Sequence, residues 1–368
     1  MDSKPPSTTS ILRVLVPIVA LAFYGVIKLV ASSDAGAKPG LAISLLILPV
    51  LLATVIAAVL HAEEIAHTVG EPFGTLVLTI AVTIIEVALI MSLTLSDQGH
   101  PALARDTVFS VIMIVCNGLV GLCILVGGFQ YRQQDFEVEG ASAYLSVLTA
   151  LSVLTLVLPN YTRSTAGPTL TPGQLEFVSV VTVLLYGVFL YIQTVRHTEY
   201  FTEVDSGATG SRPLKKHEAV PWKASLFLVA SLLAVVLLSK TFAIAVKSGL
   251  AYAGAPEAFS GFLVAILILL PEGITALRAS WANELQRSIN LALGSSLATI
   301  GLTVPAVAAI TVYLGTELVL GLSNVSMVLL FLTLLISTLT FGRGRTNILY
   351  GFVHLIIFAT YIFLIFQP

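Results

Sequence analysis

Charge is scarce in this chain. Only 10% of its 368 residues are Asp, Glu, Lys or Arg, against 57% hydrophobic, whereas an ordinary soluble domain carries about 25% charged residues. So few charges cannot cover a water-exposed globule of this size, and the composition is that of an integral membrane protein. The net charge of −2 supplies no basic or acidic field, so nucleic acid is not expected as a partner. Cysteine is nearly missing. Cys116 and Cys123 lie seven residues apart in one apolar run, about 10 Å along a helix axis and too far to bridge each other. They read as small packing residues. No Gly-rich loop ending in Lys-Ser/Thr occurs, so ATP-driven chemistry has no motif here. A secretory signal is missing as well: MDSKPPSTTS leads into an apolar run from Ile11 without a cleavage site, and that run reads as a membrane span.

What the chain does have is solid apolar runs of about 20 residues. Eleven are predicted, near 11–31, 41–60, 73–96, 107–128, 142–158, 174–194, 224–246, 257–278, 288–312, 322–341 and 346–366. The fold class is all-α and polytopic, since a membrane barrel would show weak alternating segments instead. The longest polar connection, 195–222, mixes Gly, Ser, Pro and charges of both signs, as a linker should. It separates 41–194 from 223–368, five spans each, with 1–40 holding a tail and an extra helix. Five is odd, so the second half enters the membrane with opposite orientation, the geometry of two inverted five-helix repeats. With the N-terminus inside, twelve of the 18 Lys and Arg residues fall on the inner side. That bias puts the N-terminus and linker in the cytoplasm and the C-terminus outside, as in a bacterial inner membrane.

Two lone carboxylates interrupt the most apolar stretches: Glu86 in FGTLVLTIAVTIIEVALIMSL and Glu272 in FSGFLVAILILLPEGITAL. A carboxylate at bilayer depth costs at least about 2.5–3.5 kcal/mol, which marks it as functional. Thr75, Thr79 and Thr83 precede Glu86 at helical spacing and share its face; the plainer reading is a packing seam whose hydroxyls bond the preceding turn. Glu272 sits in Leu270-Pro271-Glu272-Gly273, where proline removes a donor and a broken helix would free carbonyl oxygens. Oxygen-rich sites suit hard cations such as Ca²⁺. The run from Asn290 to Thr303 is small and hydroxyl-rich, so Ser295, Ser296 and Thr299 could complete a cation's shell, or only pack closely. Asn117 is their counterpart in the fourth span. His61-Ala-Glu63-Glu64-Ile-Ala-His67 matches neither zinc-protease arrangement. His61, Glu64 and His67 read as a charged cytoplasmic start to the third span, with gating or pH sensing as the other option. His354 is expected to be a hydrogen-bonded packing residue.

HAEEIAHTVGEPFGTLVLTIAVTIIEVALI together with LLPEGITALRASWANELQRSINLALGSSLATIGLTVP resembles the calcium/proton exchanger family, and more closely its ChaA-type bacterial sodium/proton and calcium/proton antiporters. The likeness runs from about residue 41 to the C-terminus. It implies eleven helices with two inverted five-helix repeats, and it implies that Glu86 and Glu272 match the paired glutamates that exchange cation for protons. The wider family has Gly-Asn-x-x-Glu at both glutamates. Here Thr83 and Leu269 stand where the asparagines would be, so two amide oxygens are gone and the choice among Ca²⁺, Na⁺ and K⁺ stays open.

The function expected is antiport of Ca²⁺, with Na⁺ or K⁺ in addition, against H⁺, by alternating access around Glu86 and Glu272. The alternatives are a sodium(potassium)/proton antiporter with little Ca²⁺ transport, a cation channel, and an intramembrane lipid-modifying enzyme. No cofactor is expected; the cations and protons are substrates. Membrane lipids are partners, and a homo-oligomer stays open.

Overall fold

A computed structural model describes residues 8–33, 41–70, 73–95, 101–201 and 221–367. Eleven long helices stand among the described residues: α1 (Thr8–Ser33), α2 (Leu41–Val69), α3 (Phe73–Thr94), α4 (Leu103–Tyr131), α5 (Val138–Asn160), α6 (Pro172–Arg196), α7 (Trp222–Ala253), α8 (Ala258–Trp281), α9 (Leu285–Leu314), α10 (Asn324–Phe341) and α11 (Ile348–Phe366). Ten are long and apolar enough to cross a membrane, and α1 carries a shorter apolar stretch, Val14–Leu29. The all-α reading holds. Its small β component is a ribbon, not a barrel: β1 (Gln133–Asp135) pairs antiparallel with β2 (Arg345–Asn347), Gln134 opposite Thr346.

Local chemistry sets the boundaries. Thr171 and Gln174 form a reciprocal capping box before α6, and Pro172 occupies its first turn. Ser323 caps α10 and Asn347 caps α11 through side-chain oxygens. Gly254 and Gly315, at φ 63° and 65°, end α7 and α9 in the left-handed conformation.

The helices pack as two units, described separately. In one, α2 lies against α1, α3 and α7, and α7 also contacts α1 and α3. Ser92 of α3 and Ser239 of α7 hydrogen-bond at 2.5 Å inside it. The other unit holds α4–α6 and α8–α11. There α4 is the most enclosed helix, packed on α8, α9 and α11. Elsewhere in this unit α6 and α11 turn large apolar side chains such as Phe177, Leu184 and Phe363 outward, as lipid-facing helices do.

Four π-helical turns occur among the described residues of this second unit, and two of them fall within α4 (Ile114–Leu119) and α9 (Thr299–Thr303). Such bulges leave backbone groups out of the regular ladder and concentrate at functional positions. At the α9 turn Gly301 meets α6 so closely that a Cβ would lie 2.7 Å from the Tyr186 ring.

Two expectations are corrected. Pro271 does not break its helix: α8 runs without interruption from Ala258 to Trp281. Proline costs one amide donor, and the remaining ladder with its flanking packing holds the helix together. The HAEEIAH segment does not begin the third span either. It forms the last turns of α2, which continues to Val69, because none of its residues breaks a helix before Gly70 (φ 75°). Residues 202–220 of the central linker lie outside the described residues.

Candidate functional site

In the first unit Glu86 is buried, with 1% of its surface exposed. Its helix carries a threonine stripe and this carboxylate among otherwise apolar residues, and it packs against α2 and α7. The threonines before it behave partly as a seam. Thr79 Oγ1 donates to the Thr75 carbonyl and Thr83 Oγ1 to that of Thr79, both at 2.8 Å. Each hydroxyl thereby uses its hydrogen locally and keeps its lone pairs, so Thr83, half-buried one turn before Glu86, can still offer oxygen to a cation. At the end of α2, His61 is buried and stacks on Phe227 of α7 with ring centroids 5.7 Å apart. Its Nδ1 is 4.0 Å from the exposed Glu64 carboxylate, and His67 is exposed.

In the second unit Glu272 is half-buried on α8. Pro271 deprives the Leu267 carbonyl of its usual amide partner, and Thr275 Oγ1 donates to the Pro271 carbonyl at 3.0 Å. Beside α8 runs α9, where Ser295 is half-buried and Ser296 and Thr299 are buried. Ser296 Oγ has no hydrogen-bond partner among the described residues. An orphaned buried hydroxyl costs about 1–3 kcal/mol.

Asn117 lies in the π-helical turn of α4, which packs on both α8 and α9; Leu119 comes within 3.8 Å of where a Gly273 Cβ would be. Its Nδ2 donates to Thr333 Oγ1 at 2.8 Å, and its Oδ1 is 3.2 Å from His354 Nδ1. His354 Nε2 in turn is 3.0 Å from Thr340 Oγ1. All four residues are fully buried. His354 is hydrogen-bonded as expected, whereas Thr333 and Thr340 carried no signal in the sequence beyond being polar in an apolar run. Cys116 and Cys123 are free and buried. Among the described residues no group of three or more His, Cys, Asp or Glu could hold a metal ion. A cation in either unit would therefore rely on one carboxylate plus hydroxyl, amide and backbone oxygens, a hard-ligand set.

This arrangement defines a polytopic membrane protein with lone carboxylates on apolar helices, the fold of cation-exchanger structures. The native YfkE structure superposes with a TM-score of 0.70 at 17% identity, covering 96% of this chain and all of that one. The H⁺/Ca²⁺ exchanger CAX superposes at 0.65 and 13% identity, covering 94% and 88%. The family described as Sodium/calcium exchanger protein matches residues 39–195 and 223–367, and the chain belongs to that family. It is an ion exchanger of the membrane, not an enzyme. The y4hA protein of Sinorhizobium fredii is 46% identical over 297 residues, 80% of each chain. The sodium-potassium/proton antiporter ChaA of Escherichia coli is 40% identical over 303 residues, 80% of this chain and 81% of that one.

Proposed function

We propose that this protein moves Ca²⁺, and Na⁺ or K⁺ as well, out of the cytoplasm in exchange for protons, by alternating access in which Glu86 and Glu272 carry the cation one way and protons the other. The observation that carries this reading is the burial of Glu86 in a membrane-spanning helix. A carboxylate kept there against its insertion cost needs a charge to neutralise it, and a cation or a proton does so, but not both at once. Competition for the same oxygens couples the two fluxes without ATP. Ser295, Ser296 and Thr299 on α9, Thr83 on α3 and Asn117 on α4 supply further oxygens. The two π-helical turns, one in α4 and one in α9, support reading those helices as equivalent members of two inverted repeats.

A second reading, Na⁺(K⁺)/H⁺ antiport with little Ca²⁺ transport, rests on Thr83 and Leu269 standing where the wider family carries asparagine. Two fewer amide oxygens leave a poorer shell for a divalent ion that takes six to eight ligands. The name of the E. coli relative points the same way. Proton flux in everted vesicles, driven in turn by Ca²⁺, Na⁺ and K⁺, separates the readings. Flux with none of the three would remove both.

A further inference from the structure

Asn117 and His354 are 237 positions apart, yet their side chains share a hydrogen bond in the interior of the second unit. The four-residue cluster around them has one sense that also gives Met113 Sδ a donor. Thr333 Oγ1 lies 3.4 Å from Met113 Sδ, an acceptor, and so points its hydrogen there. Thr333 must then accept from Asn117, which turns the Nδ2 group of that amide toward α10 and Oδ1 toward α11. An amide oxygen only accepts, so His354 Nδ1 carries the hydrogen, and Nε2 accepts from the Thr340 hydroxyl. In this sense each donor in the chain Thr340 to His354 to Asn117 to Thr333 to Met113 finds an acceptor, Asn117 Nδ2 also lies 3.8 Å from Met113 Sδ, and a flipped amide would need the other His354 tautomer and give up the Thr333–Met113 contact.

We infer that His354 is a positioning residue for the exchange reaction: through Nδ1 it locks the Asn117 amide so that the second lone pair of Oδ1 stays available to the transported cation. The inference rests on the exchange reading above. Asn117 belongs to the irregular turn of α4 that packs on the helices carrying Glu272 and the serines. A carbonyl oxygen has two acceptor sites, and His354 takes one. The arrangement parallels ligands oriented by an outer partner, where loss of the partner typically lowers metal affinity about 10–100-fold.

Side-chain lengths provide the test. The amide nitrogen of asparagine is as many bonds from Cα as histidine Nδ1, and that of glutamine as many as Nε2. His354→Asn therefore keeps the donor to Asn117, His354→Gln keeps only the contact with Thr340, and His354→Leu keeps neither. In everted vesicles, His354→Leu and His354→Gln should raise the half-saturating cation concentration about tenfold, with a smaller fall in maximal rate, while His354→Asn should restore most of the affinity. Adding His354→Leu to Asn117→Ala should shift half-saturation little further, since the partner is already gone. If the leucine variant fails to insert, Thr340→Val carries the test, because it removes the hydroxyl that holds the Nδ1–H tautomer. Equal half-saturation for the asparagine and glutamine variants, a loss confined to maximal rate, or full additivity with Asn117→Ala would overturn the inference and leave the exchange reading standing. Absence of cation-driven proton flux in the unaltered protein would overturn both.

Discussion

Asn290 Nδ2 of α9 donates to the backbone carbonyl of Phe201 at 2.6 Å, fastening the segment that follows α6 onto the helix that carries Ser295, Ser296 and Thr299. Gln286, one turn earlier, reaches the Tyr200 carbonyl and accepts from the Glu137 amide at 2.8 Å. The Phe201 ring meets Tyr144 and Phe189 edge-on. Gly140 touches the same segment so closely that a Cβ would collide with the Tyr200 carbonyl. Next to it, His197 stacks on Tyr200, and the backbone amide of Glu199, then the His197 ring 3.1 Å away, hold the Glu199 carboxyl below its ordinary value. Asn290→Ala leaves the Phe201 carbonyl without its donor and should destabilise by about 1–3 kcal/mol. Gly140→Ala should cost more, since backbone must move. Thermal unfolding in detergent measures both; an unchanged midpoint in Asn290→Ala would mean that α9 does not hold this segment, and in Gly140→Ala that α5 does not press on it.

Glu86→Gln and Glu272→Gln should each abolish exchange while leaving the protein inserted, because glutamine keeps the shape and loses the titratable charge. Cation-driven proton flux at the unaltered rate in either well-expressed variant would refute the two-carboxylate mechanism.

Ser296→Ala should separate a ligand from a packing residue. The hydroxyl has no hydrogen-bond partner among the described residues, so its removal should leave thermal stability equal or slightly higher. Half-saturation for the cation should nevertheless rise. Unchanged half-saturation would assign Ser296 to helix packing.

Transport should fall as cytoplasmic pH drops, since protons and cation compete for the same carboxylates. Shortening 206–217 with a flexible replacement should preserve this response. The linker is charge-balanced in sequence, exposed polar connections tolerate such changes, and the segment fastened by Asn290 lies upstream of the cut. A flattened pH profile in the shortened protein would place regulation in the linker. A flattened profile in His67→Ala would place it at the end of α2 instead, where His67 and Glu64 are exposed.

A cysteine tag after Pro368 should react with an impermeant reagent from outside, and a cysteine at Ser206 should not. The basic residues demand opposite sides for these positions. Labelling of both from one face would mean that the number of crossings is not odd between them.

Much of the fold was legible because the bilayer imposes simple demands. Long apolar runs must be helices, since no water is present to satisfy the backbone, and lone carboxylates such as Glu86 and Glu272 stand out because burying them is costly. The sequence by itself determined the membrane class, the eleven helices and the acidic positions. Only the tertiary structure decided how those helices end and which polar groups meet. Pro271 reads as a break, yet packing along α8 carries the helix through it. The π-helical turns at Asn117 and Thr299 leave no mark in hydrophobic period, because one extra residue in a uniformly apolar run changes nothing that the pattern records. The bonds from Asn117 to Thr333 and His354 span more than 200 residues. Such pairings follow from how helices cross in space, which no local spacing encodes.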